Sequence, residues 1–105
     1  LHNMIGYIQR NYKNKITLKE IASSGNVCRS NCCEIFQSTL NKSPISYLIE
    51  YRINKSIKLL NNTSYTITEI ALKCGFNSSS YFTEIFHKHL GCTPSQYRKN
   101  NTNKA

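Results

Sequence analysis

Two stretches of this chain, beginning at Ile16 and at Tyr65, carry the same pattern 49 positions apart. Ile16-Thr17-Leu18-Lys19-Glu20-Ile21-Ala22 is matched by Tyr65-Thr66-Ile67-Thr68-Glu69-Ile70-Ala71. In each, a Thr stands three residues before a Glu. That is the spacing of a capping box, in which hydroxyl and carboxylate satisfy orphan N–H groups at a helix start. The residue before each Thr (Ile16, Tyr65) and the Ile after each Glu (Ile21, Ile70) form a hydrophobic staple. Farther on, Glu34-Ile35-Phe36 returns as Glu84-Ile85-Phe86, now 50 positions apart, so the second copy gains one residue internally. A unit repeated together with its caps restricts the chain to two small, similar helical subdomains.

The second copy is the better written. Gly75 supplies the positive φ of a tight interhelical turn, and Asn77 is a candidate cap for the helix that follows. Phe82, Ile85 and Phe86 make that helix's buried stripe, leaving Ser79, Ser80, Thr83, Glu84 and His87 on the other face. In the first copy Gly25-Asn26 supplies the turn and Val27 packs inward. Its second helix runs over about residues 29–40, with Cys32, Ile35, Phe36 and Leu40 inward and Arg29, Ser30, Cys33, Glu34 and Gln37 outward. Cys28 occupies the capping place, and because a thiol caps poorly that end is expected to fray more than its counterpart at Asn77. Each copy reads as a helix-turn-helix.

Around the copies, Ile5, Ile8 and Tyr12, joined by Met4, give residues 2–13 the spacing of a support helix. Ser43-Pro44 opens a long helix to about Asn61-Asn62, patterned by Ile45, Leu48, Ile49, Arg52, Ile53, Ser56, Ile57 and Leu60. No Gly interrupts it, so it reads as a stiff spacer. After a stop at Gly91, Thr93-Pro94 starts a last helix of one or two turns to Lys99. The expected fold is all-α, with about seven helices in two helix-turn-helix subdomains joined by a long linker helix. Its expected segments are 1–43, 44–62 and 63–99, with 100–105 a mobile tail.

The 105 residues carry a formal net charge of +9, which points to a polyanionic partner. The excess is basic at both ends of the chain and in its middle, so it is not only a sticky tail. Five cysteines, an odd number, form no CxxC pair, and His2, His87 and His89 complete no zinc pattern. No metal or cofactor is expected. A reduced, cytoplasmic protein is the default, and no apolar run is long enough to span a membrane. Nucleophile–base pairs, phosphate-binding glycine loops and paired carboxylates are all missing, so an enzyme is not expected.

The chain resembles the C-terminal DNA-binding domain of AraC/XylS-type bacterial transcription regulators over nearly its whole length. Ile70-Ala71, Gly75-Phe76, Ser80-Tyr81-Phe82, Phe86, Gly91, Thr93-Pro94-Ser95 and Tyr97-Arg98 carry the resemblance most specifically. Ser43-Pro44, Tyr47, Arg52 and Leu59-Leu60 match the linker helix. The resemblance implies transcription regulation, as an activator, through sequence-specific binding of double-stranded DNA. It implies RNA polymerase as a further candidate partner and an effector or dimerisation domain outside this chain. The two second helices, about 29–40 and 78–90, would enter successive major grooves. Those grooves lie about 34 Å apart, whereas a rod of about eighteen residues spans roughly 27 Å. Full engagement is therefore expected to bend the DNA, or to leave one motif less deeply docked.

Base contacts are expected from Arg29, Ser30, Asn31, Cys33 and Glu34, and from Ser79, Ser80, Thr83 and Glu84. Arg29 suits guanine, Asn31 adenine, and a carboxylate can accept from cytosine N4. Many relatives of this type carry Arg where Glu34 and Glu84 stand, and surface ion pairing is the competing reading for both. Phosphate contacts are expected from Lys42, Ser43, Lys73, Tyr81, Lys88, Thr93 and Arg98. Arg52, within the rod, is a candidate structural tie to one repeat. Two other classes of function stay open from the sequence. One is a thiol- or metal-responsive sensor acting through Cys28, Cys32 and Cys33; the other is a helical protein-interaction module.

Overall fold

The computed structural model describes residues 1–103 and, among them, holds seven α-helices and no strand. They form two compact units that meet between Tyr51 and Arg52, within the long helix. Its first half belongs to one unit and its second half to the other.

In the first unit, α1 (His2–Asn11), α2 (Leu18–Ser24) and α3 (Arg29–Leu40) are followed by the start of α4 (Pro44–Asn62). Met4, Ile8, Ile16, Ile21, Ala22, Cys32, Phe36 and Leu48 make its buried core. Both capping-box bonds form at α2. The Glu20 N–H donates to Thr17 Oγ1 at 3.2 Å and the Thr17 N–H to Glu20 Oε1 at 3.2 Å. Tyr7 adds a bond from α1, its hydroxyl donating to Glu20 Oε2 at 3.0 Å. Bonds from Thr17, then Tyr7, hold the Glu20 carboxyl below its usual value. The rings of Tyr12 and Tyr51 meet edge-on at 5.1 Å.

In the second unit, the rest of α4 leads to α5 (Ile67–Lys73), α6 (Ser79–Leu90) and α7 (Pro94–Asn103). Thr66 and Glu69 complete the second capping box, at 3.1 and 3.3 Å. A row of aromatic contacts forms the core: Phe76 to Phe82 at 5.0 Å, Phe82 to Phe86 at 5.7 Å and Phe86 to Tyr97 at 5.6 Å. Arg52 is half-buried here. Burial pulls its guanidinium below the usual value, against the opposing influence of Tyr81 and Cys74 in the second repeat.

The copies differ where the extra residue sits. The positive-φ turn residues are Asn26 (57°) and Gly75 (92°), still 49 positions apart. The caps are Cys28 and Ser78, 50 apart, so Asn77 is the inserted residue and does not cap α6. Ser78 takes that role because its backbone is extended and its Oγ accepts the Tyr81 N–H at 3.2 Å. The second recognition helix accordingly starts at Ser79 rather than 78. Cys28 makes no side-chain cap bond. Gly25 has negative φ and serves packing instead: a Cβ there would lie 2.8 Å from Met4 Cγ.

Two further expectations shift. Ile45, placed on the inward face of the long helix, is 37% exposed. The last helix continues past Lys99 to Asn103, since neither Gly nor Pro stops it; the end of the expected tail, 104–105, lies outside the described residues. The cap asymmetry should be measurable in urea denaturation. Cys28→Ser, which installs the missing cap, is expected to stabilise the chain by about 0.5–1 kcal/mol, and Ser78→Ala to destabilise it by about 1 kcal/mol.

Candidate nucleic-acid interface

The second helix of each repeat is held by one buried stripe and presents the opposite side to solvent. In α3, Cys32 and Phe36 are fully buried, while Arg29, Ser30, Asn31 and Glu34 are exposed and Cys33 is half-buried. In α6, Phe82 and Phe86 are fully buried, Ser80, Tyr81 and Glu84 are exposed, and Ser79 and Thr83 are half-buried. At about 100° per residue, Glu34 and Glu84 point about 180° away from the middle of their buried stripes. Ser30 and Ser80, one turn earlier, share that outward face. All nine residues expected at bases lie on the first two turns of two matched helices; Ser30, Glu34, Ser80 and Glu84 face directly outward, while Cys33, Ser79 and Thr83 are half-buried.

The residues expected at phosphates are mostly engaged within the chain. Lys42 Nζ pairs with Glu50 Oε2 at 2.7 Å. Lys73 Nζ sits 4.7 Å from the centre of the Tyr65 ring. Ser43 caps α4, its Oγ accepting the Ser46 N–H at 3.1 Å. Thr93 caps α7 in a box with Gln96, at 3.2 and 3.0 Å. Arg98 is spent internally: Nε donates to the Leu60 carbonyl at 3.3 Å, Nη1 to Tyr65 at 2.5 Å and Nη2 to Thr63 at 3.3 Å. It closes the end of α4, where carbonyls lack helical partners. Lys88 alone of the set is exposed with no side-chain partner among the described residues. Sequence reasoning passed over Lys19, which with Arg29, Cys28, Ser23, Ala22 and Val27 lines an open cleft of about 410 Å³ beside the start of α3. Its counterpart in the second copy is Thr68, so the repeat offered no signal there.

None of the five cysteines is joined in a disulfide, and among the described residues no cluster of three or more His, Cys, Asp or Glu could hold a metal ion. Cys32 is in the core, where burial, then Cys33, pushes its thiol up from the usual value. A buried, protonated thiol is a poor sensor.

The family described as "Helix-turn-helix domain" matches residues 21–100. The uncharacterised HTH-type transcriptional regulator YdeC of Bacillus subtilis (strain 168) is 41% identical over 102 residues, 97% of this chain and 35% of that protein. Among solved structures, the DNA-binding domain of AdpA, a global transcriptional factor crystallised with a target DNA, has the same fold. It superposes with a TM-score of 0.94 at 22% identity, covering 98% of this chain and 93% of that one. A transcriptional regulator from Chromobacterium violaceum, described as having an AraC-type DNA-binding domain, gives 0.90 at 29% identity, covering 96% and 90%. This chain belongs to the helix-turn-helix family and is an AraC-type domain. It spans about a third of the length of the curated relatives it matches.

The Arg98 contacts lead to a stability prediction. Arg98→Met keeps much of the side-chain length and removes three bonds from a charged donor. It is expected to cost about 1–3 kcal/mol in urea denaturation, the half-exposed setting keeping the loss at the lower end. An unchanged midpoint would show that the clamp contributes nothing.

Proposed function

We propose that this chain binds double-stranded DNA in a sequence-specific manner as the reading part of a transcription regulator. The observation that carries the reading is the matched pair α3 and α6, each with an outward polar face on its first turns, in a chain of net charge +9. A helix of that kind fits a major groove, and its first residues are those that reach base edges. The description of YdeC as a transcriptional regulator, and of the Chromobacterium protein as carrying a DNA-binding domain, supports the same reading.

In this proposal Arg29, Ser30, Asn31, Cys33 and Glu34 face one half-site, and Ser79, Ser80, Thr83 and Glu84 the other. Lys88, the caps at Ser43 and Thr93 and the exposed Tyr81 lie toward phosphates, where short polar groups and helix N-termini hold a duplex in register. Lys42 and Lys73 can join them by exchanging their present partners for phosphate. RNA polymerase as a partner and the cytoplasm as the place of action belong to the proposal as well. Among the described residues no helix is long and apolar enough to cross a membrane.

Selection of bound sequences from random duplex DNA tests it. The expected product is a motif with two half-sites. Ser30→Ala should alter base preference in one half and Ser80→Ala in the other, and affinity should fall steeply as salt rises. No enrichment, or binding indifferent to salt, would overturn the reading and favour a protein-interaction module.

A further inference from the structure

The chain has five acidic residues, all glutamates. Three are used internally: Glu20 and Glu69 close the capping boxes of α2 and α5, and Glu50 pairs with Lys42. Glu34 and Glu84 have no side-chain hydrogen bond or ion pair among the described residues, although the chain carries fourteen lysines and arginines. They are also the same residue of the repeat: each is the sixth of its helix, exposed, and opposite the buried stripe. Surface ion pairing, the competing account of both, therefore has no partner among the described residues.

We propose that Glu34 and Glu84 are matched specificity determinants, each reading a cytosine at the same register of its half-site. The inference rests on the DNA-binding reading above and names the base that the site selects. An unpaired carboxylate facing phosphates costs affinity on every sequence, so it discriminates only where a base returns the loss. A carboxylate accepts hydrogen bonds and donates none. In the major groove cytosine offers the N4 amine, guanine only the N7 and O6 acceptors, and thymine an acceptor and a methyl. Adenine offers its N6 amine beside the N7 acceptor, which repels a carboxylate. Cytosine is the base left with a donor and no adjacent acceptor on its own edge. The same charges oppose non-specific attachment of a strongly basic protein, because random DNA presents phosphates without the compensating amine.

The test uses the whole chain and compares wild type, Glu34→Gln and Glu84→Gln by selection from random duplex DNA, with affinities then measured on the selected duplex and its single-base variants. Both substitutions remove charge at exposed, unpartnered positions and leave the fold intact. Wild type is expected to select one cytosine in each half-site. Each Gln variant is expected to lose that preference by roughly tenfold or more in its own half only, drifting toward adenine, which Gln can meet with a donor and an acceptor. Both should bind random DNA more tightly than wild type. A two-part motif whose base preferences are unchanged by either substitution would overturn the inference while leaving the DNA-binding reading standing, even if non-specific affinity rose. Failure of wild type to enrich any sequence would overturn both.

Discussion

The orientation of every candidate reading residue depends on two rings. Phe36 and Phe86 have no solvent exposure, and each fixes the rotation of the helix that carries it. With Phe36 inward beside Cys32, the outward side of α3 has to be that of Ser30 and Glu34; with Phe86 inward beside Phe82, that of α6 has to be Ser80 and Glu84. An amphipathic helix of twelve residues has one way to bury such a stripe. The reading faces follow from core packing and need no contact of their own to be aimed.

The two copies reach the same arrangement through different local chemistry. The first turn uses Asn26 at positive φ and keeps Gly25 small for Met4; the second uses Gly75 at positive φ and buries Cys74 where Gly25 would stand. The second cap is a hydroxyl, the first a thiol that makes no bond, and Asn77 lengthens the second connection. Arg98 belongs only to the second unit, where it binds carbonyls at the end of α4; Leu48, in the core, stands at the matching place of the first unit. The Cys28 thiol and the unlocked start of α3 set the first reading helix apart from the second.

What could be read from the sequence was local. The capping boxes recur in both copies at the same short spacing, and the buried stripes follow from helical phase within each second helix. Asn77 and Ser78 could not be told apart as caps, because both residue types cap well and the inserted residue is Asn77 itself, directly before the cap. Contacts between distant positions were out of reach. Arg98 meets carbonyls 33 to 38 positions back, and Lys42 finds Glu50 across a helix start. Several residues of the expected phosphate set are therefore engaged within the chain, whereas the outward placement of Ser30, Glu34, Ser80 and Glu84 follows from helical phase alone. That Glu34 and Glu84 lack side-chain partners among the described residues was also beyond the sequence, since it takes the placement of the surrounding cations to see it.

The central claim is that two reading helices joined by one continuous helix act as a single bipartite reader. Inserting about half a helical turn of DNA, roughly five base pairs, between the two selected half-sites tests it most directly. The rotation moves one half-site to the opposite face of the duplex. A single reader should lose most of its affinity there and recover part of it when a full turn is inserted. Affinity unchanged by the half-turn insertion would contradict the claim and show one helix reading alone.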